Sequence, residues 1–142
     1  GKVRRFIVVS DRELITHSVR VGSVATVGPD GSPWNSPLHL AFGDDYAVWL
    51  SDDAAQHSRN IAREPRVSVS IWSGSDFSNV KGVYLQSEAR KVTGIEEVAA
   101  RQVYMARFGD EIPDALAATS TYIAPLGDIN TTKTRGGRLY FS

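Results

Sequence analysis

The fold is decided by residues 33–60, which read PWNSPLHLAFGDDYAVWLSDDAAQHSRN. The stretch from Pro33 to residue 42 predicts a strand, an acidic turn covers residues 43–45, and YAVWLS predicts a second strand ending at Ser51. A polar loop then enters a short helix, predicted over residues 54–63. Because a helix N-terminus leaves backbone N–H groups unpaired and carries positive partial charge, this junction favours an anion such as a phosphate.

Further strands are predicted on both sides of this segment. Residues 22–28 lead into the turn PDGS, in which proline presets φ and Gly31 accepts a positive φ. Residues 66–72, RVSVSIW, alternate strictly between apolar and polar side chains. The remaining predicted strands cover residues 80–93, 121–130 and 138–142. Six or seven antiparallel strands with short helices between them predict a mainly β, α+β domain, built as a small, partly open β-barrel.

Three helices are predicted between the strands. The first covers residues 11–20, with Asp11 as its cap, and the second ends before Pro65, since the residue before a proline avoids the helical region. The third and strongest covers residues 95–108, and residues 110–119 predict a short helix or a turn. Six side chains of the third helix recur at helical spacing: Ile95, Val98, Ala99, Gln102, Val103 and Ala106.

Composition narrows the class of protein. A chain of 142 residues predicts a single domain over residues 1–142, and 16 basic against 16 acidic side chains argue against a nucleic-acid binder. The lack of cysteine excludes disulfides and thiolate metal sites, and it fits a cytoplasmic protein. No apolar run is long enough to span a bilayer, and the N-terminus has no pattern of a secretory leader, so we expect no membrane association.

No pattern in the sequence predicts a catalytic acid, base or nucleophile. The nucleophile motif G-x-S-x-G does not occur, and the paired aspartates at 44–45 and 52–53 are interpreted as turn and helix-cap residues. The three histidines, His17, His39 and His57, lack the short spacing of a metal site, so no metal is predicted. The catalytic residues therefore stay unknown at this level.

The order of motifs resembles the pyridoxamine 5′-phosphate oxidase-like flavoproteins, a family of FMN-binding split β-barrels. The matching segments are DGSP at 30–33, VWLS ending at Ser51, HSRNIAREPRV at 57–67 and YIAPLGDI at 122–129. The resemblance covers roughly residues 14–141, and it depends on the order and spacing of several diffuse motifs.

The resemblance implies a homodimer that binds FMN at the subunit interface and acts on a small molecule. In the family the flavin phosphate is held by a serine or threonine at the strand end and a basic residue six positions later, here Ser51 and His57. The ring lies along the preceding strand, and the long strand that begins at Lys81 and Gly82 adds a polar or basic group. The implied cofactor-binding residues are Asn35, Ser36, Pro37, Leu38, Leu50, Ser51, His57, Arg59 and Lys81.

Two substitutions distinguish the chain from the family pattern. His57 stands where lysine is usual, and Asn35 stands where the true oxidases carry arginine. The tryptophan-rich closing segment and paired Arg-Leu motifs of the true oxidases have no match beyond Arg138–Leu139. We therefore expect a flavoprotein that transfers hydride or electrons but does not oxidise pyridoxamine phosphate.

Two alternatives remain open, and they differ in cofactor and in class. One is a reductase of the same fold that uses a deazaflavin, which a basic groove near Lys81, Arg59 and Arg63 would favour. The other is a non-enzymatic binding module, which the histidine at position 57 would favour. Some members of the family also bind haem through a histidine, so haem is a further ligand to consider.

Overall fold

The computed structural model describes residues 15–74, 77–78, 80–134 and 136–142. Residues 15–18 are helical, whereas the predicted cap of this helix at Asp11 lies outside the described residues. The later helices are α1 (Gln56–Arg63), α2 (Gly94–Phe108) and α3 (Asp114–Ala117), with a 3₁₀ turn at Gly109–Glu111. Within the described residues, no helix is long and apolar enough to cross a bilayer.

The described part of the chain forms two sheets. The larger has the order β2-β1-β5-β6-β9 and the smaller the order β3-β4-β8-β7. The strands are β1 (Val21–Val27), β2 (Pro33–His39), β3 (Ala41–Phe42), β4 (Tyr46–Ser51), β5 (Arg66–Ser73), β6 (Lys81–Glu88), β7 (Arg90–Val92), β8 (Ser120–Pro125) and β9 (Arg138–Phe141). The protein is therefore mainly β with a few helices, as predicted.

Two predicted strands are broken where the chain passes from one sheet to the other. The strand predicted over residues 33–42 is interrupted at Leu40, so β2 belongs to the larger sheet and β3 to the smaller. The strand predicted over residues 80–93 is likewise interrupted at Ala89, between β6 and β7. Both residues are buried, because each marks a corner at which the backbone turns around the core. Strand pairing does not close the two sheets within the described residues, so the barrel of six or seven strands stays a prediction.

One strand contradicts the all-antiparallel prediction. β9 runs parallel to β6, with Leu139 opposite Val83. The strand predicted over residues 121–130 ends at Pro125, and the chain then crosses from the smaller sheet to the far edge of the larger one. A crossover of this length lets the next strand enter in either direction, whereas a tight hairpin would force the antiparallel one.

The two sheets enclose the main hydrophobic core, in which Trp49, Val24 and Leu85 are fully buried. At Gly22 the packing is so close that a Cβ atom would lie 2.5 Å from both Ile71 Cγ2 and Leu40 Cδ1. This glycine therefore leaves room beside β1 for two buried side chains, one from the neighbouring strand β5 and one from the corner at Leu40.

A second core lies between α2 and the smaller sheet. Helix α2 buries Ala100, Tyr104 and Phe108 against β3 and β4. Of the six residues that predicted this helix, only Val103 packs against the second core. The spacing therefore identified the helix correctly, while most of the residues that carried it lie away from the core.

Candidate functional site

The junction of β4 and α1 brings together two of the predicted site residues. Ser51 is the last residue of β4, and its hydroxyl lies 2.7 Å from Nε2 of His57 in the first turn of α1. The residue before α1, Ala55, has no side chain that could cap the helix, so the first backbone N–H groups receive no side-chain cap. Hydroxyl, imidazole and helix N–H groups thus meet at one point.

A second hydroxyl, missed by the sequence analysis, completes this cluster. Ser58 is buried in the first turn of α1, and its hydroxyl donates to Ser51 Oγ at 3.2 Å. Ser51 then keeps its own proton, which it can donate to Nε2 of a neutral His57. Ser58 could have been suspected only from its place beside His57, because serine is common at helix starts for structural reasons.

His57 is half-buried, and burial of its ring lowers its pKa from the ordinary value of 6.5. The imidazole is therefore mostly neutral near pH 7, in contrast to the fixed charge of a lysine. An anion bound here would favour the protonated ring, so its affinity would depend on pH.

Asp53 anchors the loop that connects Ser51 to α1. Its carboxylate accepts hydrogen bonds from Lys91 at 2.8 Å and from the Tyr122 hydroxyl at 2.6 Å. The bond from Lys91, followed by that from Tyr122, lowers the pKa of Asp53 from 3.8 to about 2. Burial, together with Asp53, raises the pKa of Tyr122 to about 12, so this hydroxyl stays a donor. Asp52 caps the turn as predicted, accepting from the N–H of Ala54. Asp53 also lies in this turn, as predicted, and its side chain adds the contacts with Lys91 and Tyr122.

Helix α1 is fixed to the larger sheet by its buried polar face. Asn60 is fully buried, donates to Thr26 Oγ1 at 3.0 Å and accepts from Gln56 at 2.8 Å. Arg63, near the end of the helix, donates to the carbonyl of Val27. Arg59 donates to Gln56, a neutral partner, and its side chain lies at the surface. These contacts hold the first turn of α1 in a set position relative to β1.

The predicted ring-binding residues form a separate surface on β2. This strand pairs with β1 on one side only and is an edge of the larger sheet, so its other edge presents backbone N–H and C=O groups without a strand partner in the described chain. Ser36 is buried and Pro37 is exposed, while Leu38 packs partly against the main core. Asn35 accepts a hydrogen bond from Ser23 on the neighbouring strand.

Lys81 lies apart from the residues around α1. It is the first residue of β6 and faces Ser73, the last residue of β5, whereas α1 leads into the opposite end of β5 at Arg66. The eight residues of β5 separate these ends by roughly 20 Å or more. Within a single chain, α1 and the end of β4 therefore bring together four predicted residues: Leu50, Ser51, His57 and Arg59. Lys81 lies at the other end of β5, away from them.

Two cavities adjoin these surfaces. A groove of about 450 Å³ runs along α1. Its polar lining is formed by Asp53, Ser58, Arg59, Arg90, Lys91 and Tyr122, above an apolar floor.

A second cavity of about 220 Å³ begins at His39, the last residue of β2, and is walled by Tyr104 and Phe108. At its rim Arg20 pairs with Glu111 at 2.7 Å and lies 5.1 Å from the Phe108 ring centre. Among the described residues, no three histidine, aspartate or glutamate side chains are grouped as metal ligands would be.

The sequence profile of the pyridoxamine 5′-phosphate oxidase family matches residues 12–128. This segment contains the β4–α1 junction, the open edge of β2 and the start of β6. The chain therefore belongs to the pyridoxamine 5′-phosphate oxidase family, and the resemblance seen in its motifs is confirmed. No curated protein matches the chain.

Solved structures share the fold and differ in what their names say they bind. A heme binding protein from Mycobacterium smegmatis is 27% identical over 80% of this chain, with a TM-score of 0.68, and the chain spans only 49% of that protein. An FAD-binding protein from Mesorhizobium loti is 22% identical, with a TM-score of 0.62, over 80% of this chain and 84% of its own. A protein named F420 reductase is 20% identical, with a TM-score of 0.61, over 80% of this chain and 90% of its own.

Proposed function

We propose that this chain is a flavin-dependent oxidoreductase that holds the phosphate of FMN where β4 meets α1. The observation that carries the proposal is the 2.7 Å approach of Ser51 and His57 at a helix start without a side-chain cap, in a member of this family. A bound flavin supplies the hydride or electron transfer, which accounts for the lack of a catalytic acid, base or nucleophile in the sequence.

The phosphate ligands follow from the donors at the junction. Ser51 and Ser58 supply two hydroxyls, and the first turn of α1 supplies backbone N–H groups directed along the helix axis. His57 adds a charge-assisted donor once its ring is protonated. These groups fit a phosphate because Ser51 can donate to it while it still accepts from Ser58, and the helix N–H groups and a protonated His57 can donate at the same time.

The ring of the cofactor would lie along β2. The open edge of this strand offers backbone donors and acceptors at Asn35, Ser36, Pro37 and Leu38, and a planar heterocycle with polar edges can bond to them much as a neighbouring strand would. The cavity that begins at His39 is then placed to admit a small-molecule substrate beside the ring. Asn35 lacks the charge of the arginine in the true oxidases, so we do not propose pyridoxamine phosphate as this substrate.

We further propose that two copies pair through the outer face of the larger sheet. Trp72 is 56% exposed on this face, and the rings of Tyr84 and Tyr140 stack there with centroids 4.6 Å apart. An exposed tryptophan beside two half-buried tyrosines on a sheet face is typical of a protein interface. In such a dimer Lys81, which is remote from α1 in its own chain, could reach the flavin of the second copy.

The groove along α1 supports a second candidate, a deazaflavin-dependent reductase. Ser58 belongs both to the hydroxyl cluster and to this groove, so a tail that extends beyond the phosphate would pass Arg59, Arg90 and Lys91. Two of these cations already have acidic partners: Arg90 pairs with Glu96, and Lys91 pairs with Asp53. Arg59 instead donates to the neutral side chain of Gln56, so its charge is not offset by an acidic partner there. A cofactor with an anionic tail would therefore gain more from the groove than FMN does.

Titration of the purified protein with riboflavin and with FMN, followed by quenching of flavin fluorescence, tests the proposal. We expect FMN to bind in about the micromolar range and more tightly than riboflavin. Ser51→Ala should lower the ratio of FMN affinity to riboflavin affinity roughly tenfold, since a hydrogen bond to a charged group is lost. Ser18→Ala, at an exposed serine far from the junction, is the matched control.

The result against the proposal is an absence of quenching by either flavin at high micromolar concentration. Binding of a deazaflavin alone would then support the second candidate. A Soret band on titration with haem would instead support a haem protein, and failure of all three would support a binding module for another ligand.

A further inference from the structure

We propose that the outer face of α2 is a contact surface for a second copy of this chain, with the two helices antiparallel. The surface, called here the α2 stripe, consists of Ile95, Val98, Gln102 and Met105. It lies on the side of α2 opposite the residues that pack on the smaller sheet, and it is distinct from the sheet face proposed above for the flavin dimer.

The α2 stripe exposes more apolar surface than a solvated helix face requires. Ile95 is 89% exposed, Val98 59% and Met105 52%. They make up three of the seven large hydrophobic side chains that are exposed among the described residues, so the exposed apolar surface is concentrated here. Such a concentration on one helix is typical of a surface that binds another protein.

The spacing of the stripe is the same when read from either end. The intervals are three, four and three residues, centred on Ala100. An antiparallel second copy therefore places Ile95 against the other copy's Met105, and Val98 against the other copy's Gln102, in two equivalent halves. Contacts of this kind are what a two-fold axis between identical subunits requires.

Small residues beside the stripe allow the two helices to approach closely. Ala99 and Ala106 are both exposed and are spaced by seven residues, which is two helical turns. The distance between packed helices depends on the side chains at the contact, and alanine permits the lower end of the range. The stripe can therefore bury its larger side chains against a copy of itself.

The direction of α2 also favours the antiparallel arrangement, because the dipoles of two antiparallel helices oppose one another. The charged side chains at the helix ends lie off the stripe. In the first turn Glu97 accepts a hydrogen bond from Thr121 of the smaller sheet, and in the last turn Arg107 lies over the Phe108 ring. Arg90 already pairs with Glu96, and Arg101 with Glu97, so no excess of like charge keeps the copies apart.

The size of the stripe fixes the strength of the contact. A helix of 15 residues is about 22 Å long, so one face buries a few hundred Å² per copy, less than the roughly 800 Å² of a standard interface. The contact alone should be weak, and it should gain strength when two sheet-paired dimers are joined by two α2 contacts. The tetramer rests on the sheet dimer proposed above, but the α2 contact itself does not.

Sedimentation velocity across the micromolar range tests the inference. We expect the average mass of the wild type to exceed that of the variant Val98→Glu by an amount that grows with concentration, and both proteins to bind flavin with the same affinity. Phe77→Glu is the matched control, since Phe77 is a fully exposed aromatic residue outside α2. A mass that does not depend on concentration, or an equal effect of both variants, would overturn the proposal, whereas loss of flavin binding by the wild type would concern only the proposed function.

Disulfide trapping tests the orientation, because the chain has no cysteine of its own. A mixture of the single variants Val98→Cys and Gln102→Cys should form a mixed disulfide under mild oxidation. Ile95→Cys alone should not cross-link, since antiparallel pairing places its two copies near opposite ends of the contact. Ready cross-linking of Ile95→Cys alone would indicate parallel helices and contradict the proposed arrangement.

Discussion

Replacing His57 with lysine should strengthen the binding of FMN. His57 is half-buried and mostly neutral near pH 7, because burial lowers its pKa. The variant His57→Lys places a fixed positive charge at the start of α1, next to the proposed phosphate. Riboflavin lacks the phosphate, so its affinity should not change.

The expected gain in FMN affinity follows from the partial exposure of the site, where the effective dielectric is between those of water and the protein surface. Two unit charges about 4 Å apart interact with about 1 kcal/mol in water and about 4 kcal/mol at the effective dielectric of a protein surface. Ordering the flexible lysine side chain on binding offsets about 1 kcal/mol of this gain. The net gain of about 1 to 2 kcal/mol corresponds to roughly tenfold tighter binding of FMN.

The dependence on pH gives a second readout of the same residue. The wild type must take up a proton to place a charge on His57, so its FMN affinity should rise as the pH falls, by up to about tenfold per unit above the pKa of the ring. His57→Lys should lose most of this dependence, since lysine stays charged.

Fluorescence titration with both flavins at several pH values measures these effects. Ser18→Lys adds the same charge at an exposed position far from α1 and controls for the overall charge of the protein. The reasoning is refuted if His57→Lys leaves FMN affinity unchanged, or if it raises the affinities of FMN and riboflavin equally.

Three further predictions concern stability, each measured by urea unfolding. Gly22→Ala should destabilise the protein by about 1–3 kcal/mol, because its Cβ would lie 2.5 Å from Ile71 Cγ2, and an unchanged midpoint would mean that the core adapts freely. Asn60→Ala should cost about 1–3 kcal/mol, since Thr26 loses its buried donor, and a negligible loss would show that this bond is dispensable. The hydrogen bonds that lower the pKa of Asp53 stabilise the folded protein above pH 3.8. This contribution should disappear as the pH falls from 3.8 to about 2 and the carboxylate is protonated. Asp53→Asn should be less stable than the wild type near neutral pH and similar to it at the acid end, and parallel curves would contradict the assignment.

Local sequence was sufficient for most of the elements. The prediction for β4 was correct residue for residue, and alternation located β5 to within one residue. The turn after β1 was also confirmed, since Gly31 has a φ of 85° and its N–H bonds to the carbonyl of Gly28. Helix α1 ends at Arg63, and Glu64, the residue before Pro65, has the extended backbone expected there. These features depend on a few adjacent residues, so their periodicity and backbone preferences can be read from the local sequence alone.

The proposed site was only partly visible in the sequence. The motif order pointed to Ser51 and His57, and the structure places them in contact. Ser58 was missed because a serine at a helix start has a common structural interpretation. The contact of Asp53 with Tyr122 joins residues that are 69 positions apart, and no local pattern links them.

The sequence by itself determined where the strands and helices form and which family the motif order resembles. The tertiary structure alone decided that the strands turn at Leu40 and Ala89 into a second sheet, and that β9 runs parallel to β6. It also decided which face of α2 meets the core. The physical reason is that periodicity reports that a helix has an apolar side, whereas the neighbour that covers this side is chosen by packing between elements distant in the chain.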